Sequence, residues 1–267
     1  MKILIPMAGE GRRFSENGYK IHKPLIPTID RKTGKTLPMV ICATKDLPEI
    51  EENGNNIIYI DRLFHKENGV EAEIKKYFSG SHFITAEELT DGQASSCMLA
   101  KDLINNDEEL LISGCDNGIV MNLEKFYELK KECDVLVFTY RNNESVLEKP
   151  DAYGWVKVNE KNKVSGVSIK KSISETPMND HAIVATFWFK HGEIFIKGAE
   201  KMINENDRVN NEFYVDSVIS HLLDLNYKVK VFEVDKYIGW GTPKDYENYM
   251  NTIQYWMEFS EIINKII

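Results

Sequence analysis

The chain has 267 residues, 42% of them hydrophobic and 10% aromatic, enough for one large α/β domain or two small ones. Its 42 acidic side chains outnumber 33 basic ones for a net charge of −9, and no basic run occurs, which argues against a long nucleic-acid tract as partner. The N-terminus has neither a basic leader nor a long apolar stretch, and no apolar run approaches the ~20 residues that span a bilayer. The expectation is a cytoplasmic, soluble protein. Cys42, Cys97, Cys115 and Cys133 form no C-x-x-C pair, so reduced core thiols are expected rather than a zinc site or a disulfide scaffold.

In chain order, an apolar strand over 3–7 runs into a glycine loop, Ala8-Gly9-Glu10-Gly11. Arg12-Arg13-Phe14 follows, then a lysine on a proline corner, Lys23-Pro24. Residues 28–37 are polar and read as a small excursion or hairpin. The spacing then predicts helix 38–46, strand 56–61, helix 70–78, strand 82–85, helix 92–105, strand 109–113, helix 123–132 and strand 134–140. That alternation implies a mixed, mainly parallel, doubly wound Rossmann-like α/β sheet. Loop 141–150 joins a nucleotide-binding half (1–140) to an acceptor-binding half (141–242) within one domain. The second half reads as strands 153–159 and 164–170 around a polar turn at 160–163, strand 182–190, helices 192–204 and 212–225, and strand 228–234. A last helix, 243–267, carries a stripe of Tyr246, Tyr249, Ile253, Trp256 and Met257. The stripe suits packing against the sheet or a homodimer face equally well.

A buried strand that runs into glycines and cations suits an anion. Glycines let the backbone approach closely, and successive N–H groups can face phosphate oxygens. Arg13 and Lys23 add the positive charge that a triphosphate requires. The loop lacks the Gly-Lys-Ser/Thr ending of a P-loop and the third glycine of the dinucleotide fingerprint. Asp116 ends the apolar run Leu110-Leu111-Ile112 and would project into the cleft as a hard ligand for Mg²⁺; a helix cap before Leu123 is the competing role. The six histidines show no metal-ligand spacing.

The pattern M-A-G-E-G-R-R-F…H-K-P-L resembles the A-G-x-G-x-R-L…P-K-P signature of nucleotidyltransferases acting on sugar phosphates. Five further segments carry the likeness: Thr90-Asp91-Gly92-Gln93-Ala94, Leu111 to Asn117, Tyr153-Gly154-Trp155, Glu212 to Asp216, and Gly241-Thr242-Pro243-Lys244-Asp245. The resemblance covers nearly the whole chain and implies a GT-A-like fold. It also implies transfer of a nucleoside monophosphate from a nucleoside triphosphate (NTP) to a phosphorylated small molecule, with release of pyrophosphate. Met7, Ala8, Gly9, Glu10 and Gly11 would hold the triphosphate, and Gly92 with Gln93 or Glu87 the base. Arg13 and Lys23 would stabilise the leaving pyrophosphate, Lys170 the acceptor or α-phosphate. Tyr153 and Gly154 would line the acceptor, and Asp116 would bind Mg²⁺. A pyrimidine triphosphate is expected, CTP slightly ahead, with surface-polysaccharide precursors as the implied product class.

Two departures stand out. Many members carry a second metal aspartate where this chain has Gly239, so the second carboxylate comes from elsewhere or is missing; Asp216 is the candidate, as the choline-phosphate cytidylyltransferases imply, and a partly exposed helix residue is its equal alternative. The family's E-K-P element is Ile169-Lys170-Lys171 here. An isoleucine cannot hydrogen-bond sugar hydroxyls, which opens the acceptor to non-sugar phosphomonoesters. A glycosyltransferase of similar topology would lack the Arg13 and Lys23 pair, and a non-catalytic nucleotide sensor is the reading Gly239 motivates.

Overall fold

The computed structural model describes residues 1–159 and 163–266, with side chains through Ser260. The strands are β1 (Lys2–Pro6), β2 (Pro27–Ile29), β3 (Thr36–Pro38), β4 (Ile57–Arg62), β5 (His82–Ala86), β6 (Leu110–Ser113), β7 (Asn117–Val120), β8 (Val135–Tyr140), β9 (Gly154–Val158), β10 (Val164–Ile169), β11 (His181–Phe189), β12 (Val229–Glu233) and β13 (Lys236–Gly239). The helices are α1 (Arg12–Ser15), α2 (Met39–Lys45), α3 (Leu63–Glu67), α4 (Val70–Lys75), α5 (Gln93–Met98), α6 (Lys101–Ile104), α7 (Leu123–Lys130), α8 (Ser145–Glu148), α9 (Gly192–Asn204), α10 (Val215–Asp224) and α11 (Pro243–Ile266).

Among the described residues one mixed sheet of nine strands organises the molecule, in the order β10-β9-β11-β6-β1-β4-β5, with β8 and then β12 continuing from β11. Strands β6, β1, β4 and β5 are parallel. Their runs of Ile, Leu and Val are buried on both faces, as helices on both sides require: Ile3, Leu4, Ile5, Leu111 and Ile112 are all fully covered. Ile3, Ile5 and Tyr59 face one core with α2, α4 and α7; Leu4, Ile58 and Ile60 face the other with α5, α9 and α10. Because four neighbouring strands share a direction, the loops after β1, β4, β5 and β6 gather at one end, where such sheets bind ligands.

β11 then runs antiparallel to β6 and β8. It is interrupted between Ile183 and Phe187, where Ala185 takes φ +58°. A bulge of this kind re-aims a strand, and here it lies beside the end of β6.

Several boundaries differ from the sequence expectations. Region 92–105 is two helices, α5 and α6, broken at Leu99–Ala100. Helix α10 starts at Val215 rather than 212, because Glu212 instead pairs with Val209 across a tight turn. Strands β7 and β13 had no sequence signal; they pair with each other, Gly239 opposite Asn117. The 28–37 excursion is the β2–β3 hairpin. Residues 160–162 of the 160–163 turn lie outside the described residues.

Candidate active site

β1 delivers Met7 and Ala8 buried at the sheet end, where the Met7 amide donates to Ile60 O at 2.8 Å. Gly9 and Glu10 are exposed, and Glu10 pairs with Arg12 at 2.5 Å. Phe14 fixes the turn: it is buried, with its ring edge-on to Tyr19 and Tyr246. Its neighbour Arg13 is therefore held at the mouth of a 350 Å³ cleft lined by Glu10, Gly11, Arg12, Arg13, Phe14 and Lys23. Among the described residues no ion pair engages the Arg13 guanidinium.

Lys23 opens a 3-10 turn, Lys23–Leu25, with Pro24 in its first turn. Its ammonium donates to Oδ2 of Asp116. Burial alone would lower the lysine and raise the aspartate. Their mutual attraction outweighs it in both, so Lys23 is shifted up and Asp116 held below its usual range. The Arg13 guanidinium lowers Asp116 further and offsets part of the rise at Lys23.

Asp116 is held from three directions. The Gly114 amide donates to Ala185 O at the β11 bulge (3.1 Å), and Asp116 O accepts from Trp240 N (2.9 Å). Behind β7, Arg31 of the hairpin pairs with the buried Asp46 and donates to Ile119 O at 2.7 Å, while the Ile119 amide donates to Asp46 Oδ2 at 3.1 Å. Asp116 is not a helix cap; Asn122 caps α7 by accepting from Lys125 N at 2.9 Å.

Across the bulge lies the second group. A Cβ on Gly154 would stand 2.2 Å from Asp216 Oδ2 and 3.0 Å from Ile183, so only glycine lets this carboxylate approach the start of β9. Burial raises Asp216 to about 6, against the pull of Lys170. Lys170 follows β10 at φ +56°, its amide donating to Tyr153 O at 3.0 Å and its ammonium to Ala152 O. The ammonium lies 5.8 Å from the Tyr214 ring centroid. Burial lowers Lys170; Asp216 opposes that and Arg13 reinforces it. Arg13 thus acts on Lys23 and Asp116 on one side and on Lys170 and Tyr214 on the other. It joins the two clusters.

Some expected residues have other duties. The Tyr153 hydroxyl donates to Ser145 O at 2.9 Å and holds α8. Glu87 is exposed one residue beyond β5, with no contact tying it to the cleft among the described residues. Gln93 opens α5 behind Gly92. His22 packs against Phe64 and His65 rather than the glycine loop. At Gly239 a Cβ would meet the Tyr237 ring at 3.1–3.3 Å. Tyr237, stacked on Tyr140 at 4.3 Å, is the group any side chain at 239 would press against. Neither Arg31, Asp46 nor Tyr237 had a sequence signal, since each acts across a long separation.

Arg13, Lys23 and Asp116 thus gather at the carboxyl end of a parallel sheet, where α/β folds bind ligands, with Asp216 and Lys170 across a strand bulge. The chain belongs to the nucleotidyl transferase family, whose model matches residues 2–256, and it is an enzyme that transfers nucleotidyl groups. The fold is similar to a nucleoside-diphosphate-sugar pyrophosphorylase from Vibrio cholerae, with a TM-score of 0.71 at 16% identity, covering 93% of this chain and 99% of that one. It is also similar to an inositol-1-phosphate CTP transferase from T. maritima (TM-score 0.63, 15% identity, 95% and 96% covered). A UDP-glucose pyrophosphorylase bound to UDP-glucose gives a TM-score of 0.68 at 16% identity, with 96% and 98% covered. A search of curated protein sequences gave no match. No helix of the described residues is long and apolar enough to cross a membrane.

Proposed function

We propose that the protein moves a pyrimidine nucleoside monophosphate, from CTP ahead of UTP, onto a phosphorylated small molecule and releases pyrophosphate. The observation that carries this reading is the cleft lined by Gly11, Arg13 and Lys23, with the Lys23 ammonium bonded to Asp116. A triphosphate tail on the glycine turn would meet Arg13 and Lys23. An acceptor phosphate near Lys170 would approach the α-phosphorus from the other side. Held in line between fixed cations, the reacting groups need little covalent help from the protein.

Asp116 and Asp216 flank the β11 bulge, and two carboxylates completed by phosphate oxygens and water suit Mg²⁺. Bound there, the ion would neutralise phosphate charge. The residues themselves do the rest. Lys23 and Arg13 stabilise charge on the departing pyrophosphate, Lys170 orients the attacking oxygen, and Gly154 keeps Asp216 in place. Ile169, at the end of β10 beside Lys170, offers no hydrogen bond to a sugar hydroxyl, which favours a phosphomonoester with few hydroxyls. A role in surface-polysaccharide precursor synthesis fits a small acceptor of this type.

The test is pyrophosphate release with Mg²⁺ across four NTPs and a panel of hexose-1-phosphates, polyol phosphates and amine-bearing phosphomonoesters. Release dependent on a non-sugar acceptor and greatest with CTP is expected. Release with purine triphosphates alone, or only with hexose-1-phosphates, would overturn the corresponding half of the reading.

A further inference from the structure

The loop between α9 and α10 is a built object. Asn210 and Asn211 both take left-handed φ (50° and 64°), and Val209 and Glu212 exchange backbone hydrogen bonds at 3.0 Å in each direction. This is a two-residue turn of the kind asparagine favours. Beyond it, Phe213 is buried and zipped onto the 90–93 turn. Its amide donates to Asp91 O at 2.7 Å and its carbonyl accepts from Ala94 N at 2.9 Å. Gly92 takes φ +114°, and a Cβ there would stand 2.7 Å from both Phe213 N and O. Only glycine lets the two segments meet.

Arg208 closes the joint. Its Nη2 pairs with Asp91 Oδ2 at 2.9 Å, its Nε donates to Asn206 Oδ1 at 2.7 Å and its Nη1 to Asn211 O at 3.1 Å. The guanidinium carbon lies over the Phe213 ring, 4.1 Å from its centroid. The planar fork and its stacking face are therefore both used, a combination lysine cannot reproduce.

We propose that Arg208 is a positioning residue for base selection: it fixes the 90–93 turn against the segment leading into α10. The proposal rests on the reading above that this turn faces the base. Arg208 does not touch the nucleotide. By holding Asp91 and Phe213 it sets where the Gly92 backbone and the Gln93 side chain stand, and a base-reading edge that can drift loses discrimination before it loses chemistry.

The experiment compares Arg208→Ala, Arg208→Lys and Asp91→Asn with the wild type, measuring kcat/KM for each of the four NTPs, the KM for acceptor and the melting temperature. Gln93→Ala is the control for the reading itself. The expected result is a rise of about tenfold in KM for the preferred NTP in Arg208→Ala, a similar fall in the ratio between best and worst NTP, and an acceptor KM that moves less. Arg208→Lys should fall between wild type and Arg208→Ala, and Asp91→Asn should follow the same direction. If Gln93→Ala narrows the NTP ratio while the Arg208 and Asp91 variants leave it unchanged, the Arg208 role is overturned and the base turn stands. If none of the variants moves the ratio, the base-turn reading falls and the proposal with it. A variant that merely loses stability would lower kcat/KM equally for all four NTPs, which also counts against the proposal.

Discussion

The ammonium of Lys23 and the carboxylate of Asp116 are bonded directly although 93 residues separate them in the chain. The turn opened by Lys23 and the loop between β6 and β7 therefore meet through one charge pair, whose side chains are 19% and 29% exposed. Asp116→Asn should abolish turnover, while NTP binding in metal-free buffer stays measurable by calorimetry. It should also destabilise the fold by about 1–2 kcal/mol, because Lys23 loses its counter-charge; the figure sits below the range for fully buried pairs because both ends reach solvent. Near-wild-type turnover would remove Asp116 from the mechanism.

Arg13 makes no ion pair among the described residues, so its removal should cost little stability. Arg13→Ala is expected to lower kcat by at least ~10²-fold, the scale of losing one stabilising donor in a transition state. Its melting temperature should stay within about a degree of wild type. Steady-state kinetics and a thermal scan check both halves, and an unchanged rate would place Arg13 outside the chemistry.

Asp216 links function to pH. Its folded value is about 6 against an ordinary 3.8, so the folded state holds the proton more tightly than the unfolded chain. Stability is then lost as pH rises from about 4 through 6, and above that the ionised carboxylate is a standing cost. Asp216→Asn should melt higher than wild type at pH 8 and at the same temperature near pH 4, while its activity is lost. Wild-type kcat/KM should fall on the acid side as Asp216 takes up a proton. A variant less stable than wild type at pH 8 would contradict the assignment.

Gly154→Ala tests how closely the second carboxylate must be placed. The added methyl would sit 2.2 Å from Asp216 Oδ2, so the carboxylate has to move. A displacement of about 1 Å near the reacting groups can cost roughly 10²-fold in rate. The expected outcome is a fall in kcat well beyond any change in melting temperature, read from kinetics and a thermal scan together.

The parallel strands, the glycine turn, Asp116 at a strand end and the Lys170 hairpin were all legible in the sequence. Each is written in a short window as an apolar run stopped by glycine, a charge or a polar turn. The supports were not. Arg31 reads as one charge in a polar excursion, yet it reaches Asp46 and the Ile119 carbonyl, 88 residues away. β7 and β13 are four residues each and become strands only by pairing with one another. Helix periodicity extended α10 back to Glu212, because the pattern cannot show that Asn210 and Asn211 turn the chain first. The role of Gly239 was visible only as a missing aspartate; its close approach to Tyr237 is a tertiary fact.

The tyrosines of α11 have a consequence for solubility. The hydroxyls of Tyr246 and Tyr249 donate to the Pro27 and Ile29 carbonyls, on the edge of β2 that faces away from β3. Uncovered, those carbonyls would form an open template for strand addition by another molecule. Replacing both tyrosines by alanine would remove the donors together with the rings that cover them, and so unmask that template. Self-association growing with concentration, rather than unfolding, is the failure to look for.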